Sequence, residues 1–276
     1  MTTLAVAATD PHEDDRPANL GRFCTQDGFA YRFEWGLEGL RTLAPVADVV
    51  VIVDVLRFST AVCTAVEAGA VVLPYGWADN NAAAYAAAQH AVLAGRREDG
   101  QLSLSPTDLQ HAEPGLRIVL PSPNGSALAL AAHELGARNV LAGCLRNAGA
   151  TAIHARRLAA ERDGVIAVIA AGERWHGNAG PVRSAVEDLL GAGAILAALD
   201  PSAAVGEPHC SPEAATARAA FVAARPRLHE TLVGCASGRE LLERGWADDV
   251  ALAAEHDRSQ VVPELRGGAF VAAPAI

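Results

Sequence analysis

The stretch Val49–Thr60, which reads VVVIVDVLRFST, constrains the fold of this chain more than any other. Its five consecutive β-branched residues form a short apolar run, which is typical of a parallel strand buried on both faces. Ser59 and Thr60 then offer N-caps for a helix through Ala61–Ala68, which Gly69 would end. A strand, a short polar turn and a helix N-terminus form a natural anion site, because free backbone N–H groups and the helix dipole face the turn.

Asp54 and Arg57 lie in this first turn. An acid and a base after one strand can form a local ion pair that only closes the turn, so the pair does not define a site by itself. The same strand, turn and helix unit recurs further along the chain, and this recurrence favours a functional interpretation. The repeated strands are predicted at Ile118–Leu120, Asn139–Ala142 and Val165–Ala170, the turns at Pro121–Ser126, Gly143–Asn147 and Ala171–Pro181, and the helices at Ser126–Leu135, up to Glu161, and from about Val182 to Leu199.

Strands that alternate with helices require a parallel or mixed sheet that is covered on both faces. The predicted class is therefore α/β, with ligands bound beyond the carboxyl ends of the strands. An alanine-rich helix is also predicted from Asp79 to Ala94. We divide the chain into a flexible acidic tail at 1–22, a main α/β region at 23–200, and a C-terminal helical region at 201–276 whose closing strands, Val261–Pro263 and Ala269–Ala272, pack on the main region.

Composition excludes several classes of protein. With 51% hydrophobic and 20% charged residues the chain is globular. A net charge of −10 without a basic stripe argues against nucleic acid, although a locally basic pocket could still bind an anionic substrate. The five cysteines form no CxxC pair, so neither a disulfide framework nor a structural zinc site is expected. No signal peptide or membrane-spanning stretch is visible, and the expected compartment is the cytoplasm.

The turn Ser122-Pro123-Asn124-Gly125-Ser126 is the second candidate for anion binding. Asn and Gly tolerate left-handed backbone, so successive N–H groups can converge on an oxyanion. An ordinary turn with Ser126 as N-cap explains the same residues, and Asn147 at the next junction has the same ambiguity. The glycines form neither a dinucleotide-binding fingerprint nor a P-loop.

Glu187 and Asp188 are consecutive acids near the start of a predicted helix. Ser184 and Glu187 also have the spacing of a capping box, and Asp248-Asp249 can similarly be first-turn acids that complement a helix dipole. Hard carboxylate oxygens suit Mg²⁺, and Asp54 with Glu187 or Asp188 could supply them. The histidines show no metal-binding spacing, and only His176 stands in a turn of interest.

Several short motifs share their order and approximate spacing with one known family, over about residues 46–265. They are Asp54-Val55-Leu56-Arg57 with Ser59-Thr60, Leu104-Ser105-Pro106, Asn124-Gly125-Ser126, Gly143-Cys144-Leu145-Arg146-Asn147-Ala148, Ala171-Gly172, Glu187-Asp188 with Gly191-Ala192-Gly193-Ala194, and Asp249 with Val262-Pro263. In this order they resemble the 2-phosphosulfolactate phosphatases of coenzyme M biosynthesis and their bacterial relatives.

This resemblance implies a three-layer α/β/α fold with a mostly parallel mixed sheet and an active-site cleft at the strand carboxyl ends. It also implies a Mg²⁺-dependent phosphatase that releases phosphate from 2-phosphosulfolactate. The chain departs from the common pattern at Ser59 and Ser126, where threonine is usual, and also at Pro121-Ser122-Pro123, Leu102-Ser103, Arg146 and Glu173-Arg174-Trp175. These departures concern the expected pocket, so the substrate is less firmly implied than the phosphatase chemistry.

The resulting hypothesis assigns each candidate residue a role. Asp54 with Glu187 or Asp188 would hold Mg²⁺, and Arg57 would stabilise charge on the transferring phosphoryl group. The phosphate cradle would comprise Ser59, Thr60, Asn124, Gly125, Ser126 and Asn147, while Arg96, Arg97 or Arg146 would meet a sulfonate or carboxylate. Whether Asp54 is instead a covalent nucleophile stays open.

Two alternatives also stay open: a hydrolase of a different phosphorylated metabolite on the same scaffold, and a non-enzymatic anion-binding protein. The expected partner is a small anionic phosphoester, with no nucleic acid and no membrane, and a homo-oligomer is compatible with the sequence.

Overall fold

The computed structural model describes residues 23–76, 81–97, 102–162, 164–175, 180–201 and 209–274. The predicted tail at 1–22, the predicted helix start at Asp79, and His176 lie outside these residues. In the described part of the chain, no helix combines the length and the apolar character needed to cross a membrane.

The elements alternate between strand and helix through most of the chain, as the sequence predicts. The strands are β1 (Tyr31–Trp35), β2 (Val49–Val53), β3 (Val71–Tyr75), β4 (Val92–Leu93), β5 (Arg117–Pro121), β6 (Val140–Gly143), β7 (Ile166–Ala170), β8 (Glu173–Arg174), β9 (Val182–Arg183), β10 (Pro263–Arg266) and β11 (Ala269–Ala272). The helices are α1 (Gly36–Leu43), α2 (Phe58–Glu67), α3 (Ala82–Ala88), α4 (Pro106–Leu109), α5 (Gly125–Glu134), α6 (Ala148–Ala159), α7 (Val186–Leu199), α8 (Pro212–Ala224), α9 (Leu228–Gly234), α10 (Ala236–Glu243) and α11 (Ala247–Ala253).

Nine of the described strands form one mixed sheet in the order β1-β7-β2-β6-β10-β11-β3-β5-β4. β1, β7, β2 and β6 are parallel to one another, and so are β3, β5 and β4. The hairpin β10–β11 joins the two groups by antiparallel pairing with β6 and β3. The predicted mostly parallel mixed sheet is confirmed, and the strands near the end of the chain lie in its middle.

The strand β2 is buried on both faces, as its β-branched run predicts. Val49, Val51 and Val53 pack with α6 and α7, whereas Val50 and Ile52 pack with α1 and α5. Burial of each such side chain contributes about 1.5–3 kcal/mol. The result is the predicted three-layer α/β/α arrangement.

The helix after β2 packs with β5, and the helix after β5 packs with β2. α2 follows β2, but its Phe58 and Val62 pack with Ile118 of β5 and with the hairpin β10–β11. α5 follows β5, but its Leu128 packs with β2. The turns after β2 and β5 therefore meet where the two connections cross.

Three local predictions about helices are wrong. The helix predicted from about Val182 begins at Val186, because Val182–Arg183 pairs with Glu173–Arg174 as a short strand. The alanine-rich helix ends at Ala88, and Val92–Leu93 pairs as an edge strand with β5, because strand pairing decides what the alanine spacing leaves open. The helix α2 begins at Phe58, so Ser59 and Thr60 lie inside it and do not cap it.

Candidate active site

Asp54 directly follows β2, and its carboxylate accepts hydrogen bonds from the N-termini of two helices. Its Oδ1 accepts a hydrogen bond from the backbone N–H of Phe58 at 3.1 Å, and its Oδ2 accepts one from that of Gly125 at 2.9 Å. Phe58 and Gly125 are the first residues of α2 and α5. One buried carboxylate thus meets the positive ends of two helix dipoles.

Gly125 permits this convergence because it has no side chain. A Cβ at this position would lie 2.2 Å from the Phe58 ring and 2.8 Å from the Asp54 Oδ2. The hydroxyl of the next residue, Ser126, donates to the carbonyl of Leu120 at 2.7 Å. The Asn-Gly-Ser turn therefore brings α5 against Asp54, with Ser126 tying the helix back to β5.

Asp188 is a second buried carboxylate beside the turn after β2. Its Oδ1 accepts from the Val55 N–H at 2.7 Å, and its Oδ2 accepts from the Gly172 N–H at 2.9 Å. Glu187 is buried as well. The predicted capping box at Ser184 is absent, because α7 begins after Ala185 without a side-chain cap. Glu187 and Asp188 are thus buried acids rather than exposed helix-start residues.

Burial changes the protonation of these acids. Burial and the nearby charges of Glu173 and Glu187 raise the pKa of Asp54 from 3.8 to about 7, against the opposing effect of the two N–H donors. Burial and the charges of Asp54 and Glu187 raise the pKa of Asp188 well above its usual range. Ionisation of these neighbouring buried acids is therefore unfavourable, and a bound cation would relieve this cost.

The donor chemistry of this cluster fits a hard divalent cation. Within the described ranges, no group of three or more His, Cys, Asp or Glu side chains forms a complete metal site. Mg²⁺, however, is commonly held by only one or two carboxylates, with water and substrate phosphate as its other ligands. Asp54, which lines the cavity, and the neighbouring buried Asp188 could supply these carboxylates.

Arg57 pairs with Asp249 and not with Asp54, so the local ion pair considered from the sequence is wrong. Its Nη1 donates to the Asp249 Oδ2 at 2.9 Å, and its guanidinium lies 4.5 Å from the ring centroid of Trp246. The peptide bond between Leu56 and Arg57 is cis. Asp249 and Trp246 fix the Arg57 guanidinium from two sides, and the side chain is 15% exposed.

Asp249 is fully buried and receives hydrogen bonds from three further side chains. Arg97 donates to its Oδ2 at 3.2 Å, while Ser105 and Thr107 donate to its Oδ1 at 2.6 and 2.7 Å. Asp249 does lie in the first turn of α11, as its sequence position suggests, but its carboxylate is buried and binds these side chains. It positions Arg57 and Arg97 at the wall of a cavity that both residues line.

Two adjoining cavities of about 480 and 560 Å³ form what we call the cleft. They share Arg57, Leu104, Arg244 and Trp246. The cavity that contains Asp54 is also lined by Leu56, Ser122, Pro123, Asn124, Glu173, Arg174, Arg183, Ser237, Glu240 and Leu241, and the other by Gly95, Arg96, Arg97 and Ser103. The turns after β2, β5 and β7 thus contribute to one cleft, at the predicted ends of these strands.

Three of the predicted phosphate-binding hydroxyls are engaged elsewhere. Ser59 donates to the backbone carbonyl of Asp54 at 2.8 Å, and Thr60 donates to that of Val55 at 2.8 Å. Ser126 behaves in the same way toward Leu120. All three are fully buried, so their hydroxyls fix the turns instead of reaching the cleft.

Arg146 and Asn147 do not line the cleft. Arg146 pairs with Glu255, and with Glu67 at 3.2 Å. The Asn147 side chain accepts from the Cys144 N–H at 2.9 Å and donates to the Val261 carbonyl at 3.1 Å. Both residues instead connect the turn after β6 to the C-terminal region.

Five of the predicted residues line the cleft: Asp54, Arg57, Arg96, Arg97 and Asn124. Sequence reasoning missed the role of Ser237, Arg244 and Trp246, which come from α10 and from the turn between α10 and α11. It marked Glu173 and Arg174 only as departures from the common pattern, yet both line the cleft. Asn124 donates to Glu173 Oε1 at 3.1 Å and so joins the turns after β5 and β7.

The sequence is similar to known proteins over most of its length. A family model described as 2-phosphosulpholactate phosphatase matches residues 38–268. A Thermus thermophilus protein described as a probable 2-phosphosulfolactate phosphatase is 33% identical over 227 residues, which cover 80% of this chain and 89% of that protein. The matched range of the family model contains every residue that lines the cleft.

Proposed function

Because the chain belongs to the 2-phosphosulfolactate phosphatase family, we propose that this phosphoric monoester hydrolase converts 2-phosphosulfolactate to sulfolactate and phosphate, with Mg²⁺ as its cofactor. The observation that carries the proposal is the position of Asp54. A buried carboxylate at two helix N-termini lines a cleft whose walls are rich in arginine.

The charge of the cleft suits a substrate with several negative charges. Its lining contains six arginines and three carboxylates, although the chain as a whole carries a net charge of −10. The arginines are Arg57, Arg96, Arg97, Arg174, Arg183 and Arg244. A locally basic cleft in an acidic protein attracts an anion that the remaining surface repels.

Asp54 and Asp188 are the residues that would hold Mg²⁺, with Glu187 adding negative charge nearby. When bound, the cation would neutralise phosphate charge and lower the pKa of a coordinated water. The two backbone N–H groups on Asp54 would keep its carboxylate oriented toward the cleft, because they restrain both of its oxygens.

Arg57 would stabilise the negative charge that the phosphoryl group carries during transfer. Asp249 and Trp246 hold its guanidinium before any substrate arrives, so no reorganisation is needed at the moment of reaction. Asn124, itself oriented by Glu173, would donate to the phosphate at the other side of the Asn-Gly turn.

A second candidate is the same chemistry on another phosphomonoester that carries an additional acidic group. The observation in its favour is that Glu173 and Arg174, which depart from the common family pattern, line the cleft beside Asp54. Both candidates predict a phosphatase and differ only in the group attached to the phosphate.

A phosphate-release screen tests the proposal. The purified protein is treated with EDTA and assayed with and without Mg²⁺ on 2-phosphosulfolactate, 2-phosphoglycerate, phosphoenolpyruvate and p-nitrophenyl phosphate. We expect release only with Mg²⁺, and fastest from 2-phosphosulfolactate. Full activity without metal would overturn the cofactor assignment, and faster release from another ester would favour the second candidate. Binding of sulfolactate without release from any ester would indicate an anion-binding protein.

A further inference from the structure

One face of α10 lines the same cavity as Asp54. Four residues of this face line the cavity: Ser237, Glu240, Leu241 and Arg244. The last three follow Ser237 by three, four and seven residues, which places all four on one side of the helix. This stripe belongs to the C-terminal region, whereas Asp54 belongs to the first parallel group of strands. The cleft therefore has a wall that the phosphate chemistry around Asp54 does not use.

Ser237 is the unusual member of this stripe. It is 7% exposed, and its hydroxyl has no hydrogen-bond partner among the described residues. The buried hydroxyls of Ser59, Ser105 and Ser126, by contrast, are all hydrogen-bonded. A buried hydroxyl without a partner lowers stability, so its presence at a cavity wall indicates a bound group that completes it.

The surroundings of Ser237 favour an anion as that group. Ser237 lies in the first turn of α10, where the helix dipole favours negative charge. Cys235 caps this helix, its sulfur accepting from the Gly238 N–H at 3.4 Å, so the Ser237 hydroxyl has no capping role. The same cavity is lined by four arginines (Arg57, Arg174, Arg183 and Arg244), which outnumber its three carboxylates (Asp54, Glu173 and Glu240).

Arg244 follows the last residue of α10, and its side chain is 53% exposed. Its guanidinium lies 5.4 Å from the ring centroid of Trp246, and its Nη2 donates to Glu240 at 2.7 Å. Trp246 also stacks against Arg57, so one ring contacts both guanidinium groups. Two positively charged side chains thus line one cleft beside the same ring.

We propose that Ser237 and Arg244 form a second anion subsite, which binds the acidic group of the substrate other than its phosphate. That group is a sulfonate or a carboxylate, and its oxygens accept from the Ser237 hydroxyl and from the Arg244 guanidinium. This inference rests on the proposed function. In this proposal α10 determines which phosphomonoester the protein prefers, whereas Asp54 and Arg57 act on the phosphate.

The test is a calorimetric titration of the Mg²⁺-loaded protein with sulfolactate, which contains no phosphate to be hydrolysed. The variants are Ser237→Ala and Arg244→Gln. The matched control is Arg239→Gln, because Arg239 is an exposed arginine of the same helix that does not line the cleft. Removing a hydrogen bond to a charged group weakens binding by at least about tenfold, and we expect this loss for both variants but not for the control.

Thermal unfolding of Ser237→Ala separates binding from structure. Because the hydroxyl has no internal partner, its removal should leave the melting temperature unchanged or raised. Lactate, titrated in parallel, distinguishes the two acidic groups. A loss for sulfolactate alone assigns the subsite to the sulfonate, and an equal loss for lactate assigns it to the carboxylate.

Unchanged sulfolactate affinity in Ser237→Ala would overturn the proposal, as would failure of the wild-type protein to bind sulfolactate. If the wild type binds sulfolactate with the expected loss in both variants but releases no phosphate from 2-phosphosulfolactate, the subsite is supported and the proposed function fails. The two inferences are therefore tested separately.

Discussion

Substituting Arg57 by lysine separates charge from geometry at the cleft. Lysine keeps the positive charge and can still reach Asp249, but it loses the planar guanidinium that lies 4.5 Å from the Trp246 ring centroid and can donate two parallel hydrogen bonds. If Arg57 only neutralises the buried Asp249, this change is nearly conservative. If it grips a phosphoryl group, the loss appears in turnover.

The expected loss of stability is small, about 1 kcal/mol, because the stacking contact is lost while Asp249 keeps Arg97, Ser105 and Thr107. The expected loss of turnover is larger. Removal of one preorganised transition-state donor costs about 3 kcal/mol, or roughly a hundredfold in kcat.

Arg97→Lys is the paired variant, since Arg97 donates to the same Asp249 oxygen at 3.2 Å but does not line the cavity that contains Asp54. A weaker grip on the acidic group of the substrate would raise KM in this variant without lowering kcat. Urea unfolding and steady-state phosphate release are measured for both variants. We expect similar small losses of stability and a steep fall in kcat for Arg57→Lys alone. A folded Arg57→Lys protein with near-wild-type kcat, or an equal fall in kcat for Arg97→Lys, would refute the catalytic role of Arg57.

The remaining predictions concern Asp54 and its neighbour Gly125. The pKa of Asp54 is higher in the folded protein, about 7, than its ordinary 3.8, so the folded state retains a proton that the unfolded state releases. The free energy of unfolding without metal should therefore fall by on the order of 4 kcal/mol as pH rises from about 4 to about 7. Mg²⁺ should restore more of this free energy at pH 8 than at pH 5. Urea unfolding in EDTA that shows no such fall would contradict the assignment of Asp54 as a buried acid. Gly125→Ala should destabilise the fold by about 1–3 kcal/mol and reduce phosphate release, because its Cβ would lie 2.2 Å from the Phe58 ring. Gly234→Ala, where a Cβ would meet nothing within 4 Å, should change neither quantity, and equal effects of the two substitutions would show that the tight contact at Gly125 is unimportant.

The sequence predicts most of the sheet because its strands carry a strong local pattern. Val49–Val53 is uniformly β-branched, so this strand, which is buried on both faces, can be predicted from its own residues alone. The repeated turns then indicate where the cleft lies. The edge strand Val92–Leu93 escapes prediction because two residues beside an alanine-rich segment acquire their structure only by pairing with β5.

The site is less predictable because its decisive contacts join distant parts of the chain. Arg57 and Asp249 are separated by 192 residues, and no local sequence pattern at either residue indicates that they form an ion pair. Ser59 and Ser126 resemble phosphate donors in the sequence. In the fold, however, their hydroxyls donate to the backbone carbonyls of Asp54 and Leu120. The face of α10 becomes a cleft wall only after the C-terminal region packs on the sheet.

Phosphate release by Asp54→Asn tests the assignment of the cleft most directly. Asparagine has nearly the same shape as aspartate but carries no charge, and it removes a buried acid whose ionised form is disfavoured in the fold. With Mg²⁺ and 2-phosphosulfolactate, we expect kcat to fall by at least about a hundredfold. The protein should still unfold cooperatively but at a lower temperature, because the asparagine amide cannot accept from both backbone N–H groups that Asp54 now binds. A folded Asp54→Asn protein with wild-type kcat would contradict the placement of the phosphatase chemistry at Asp54.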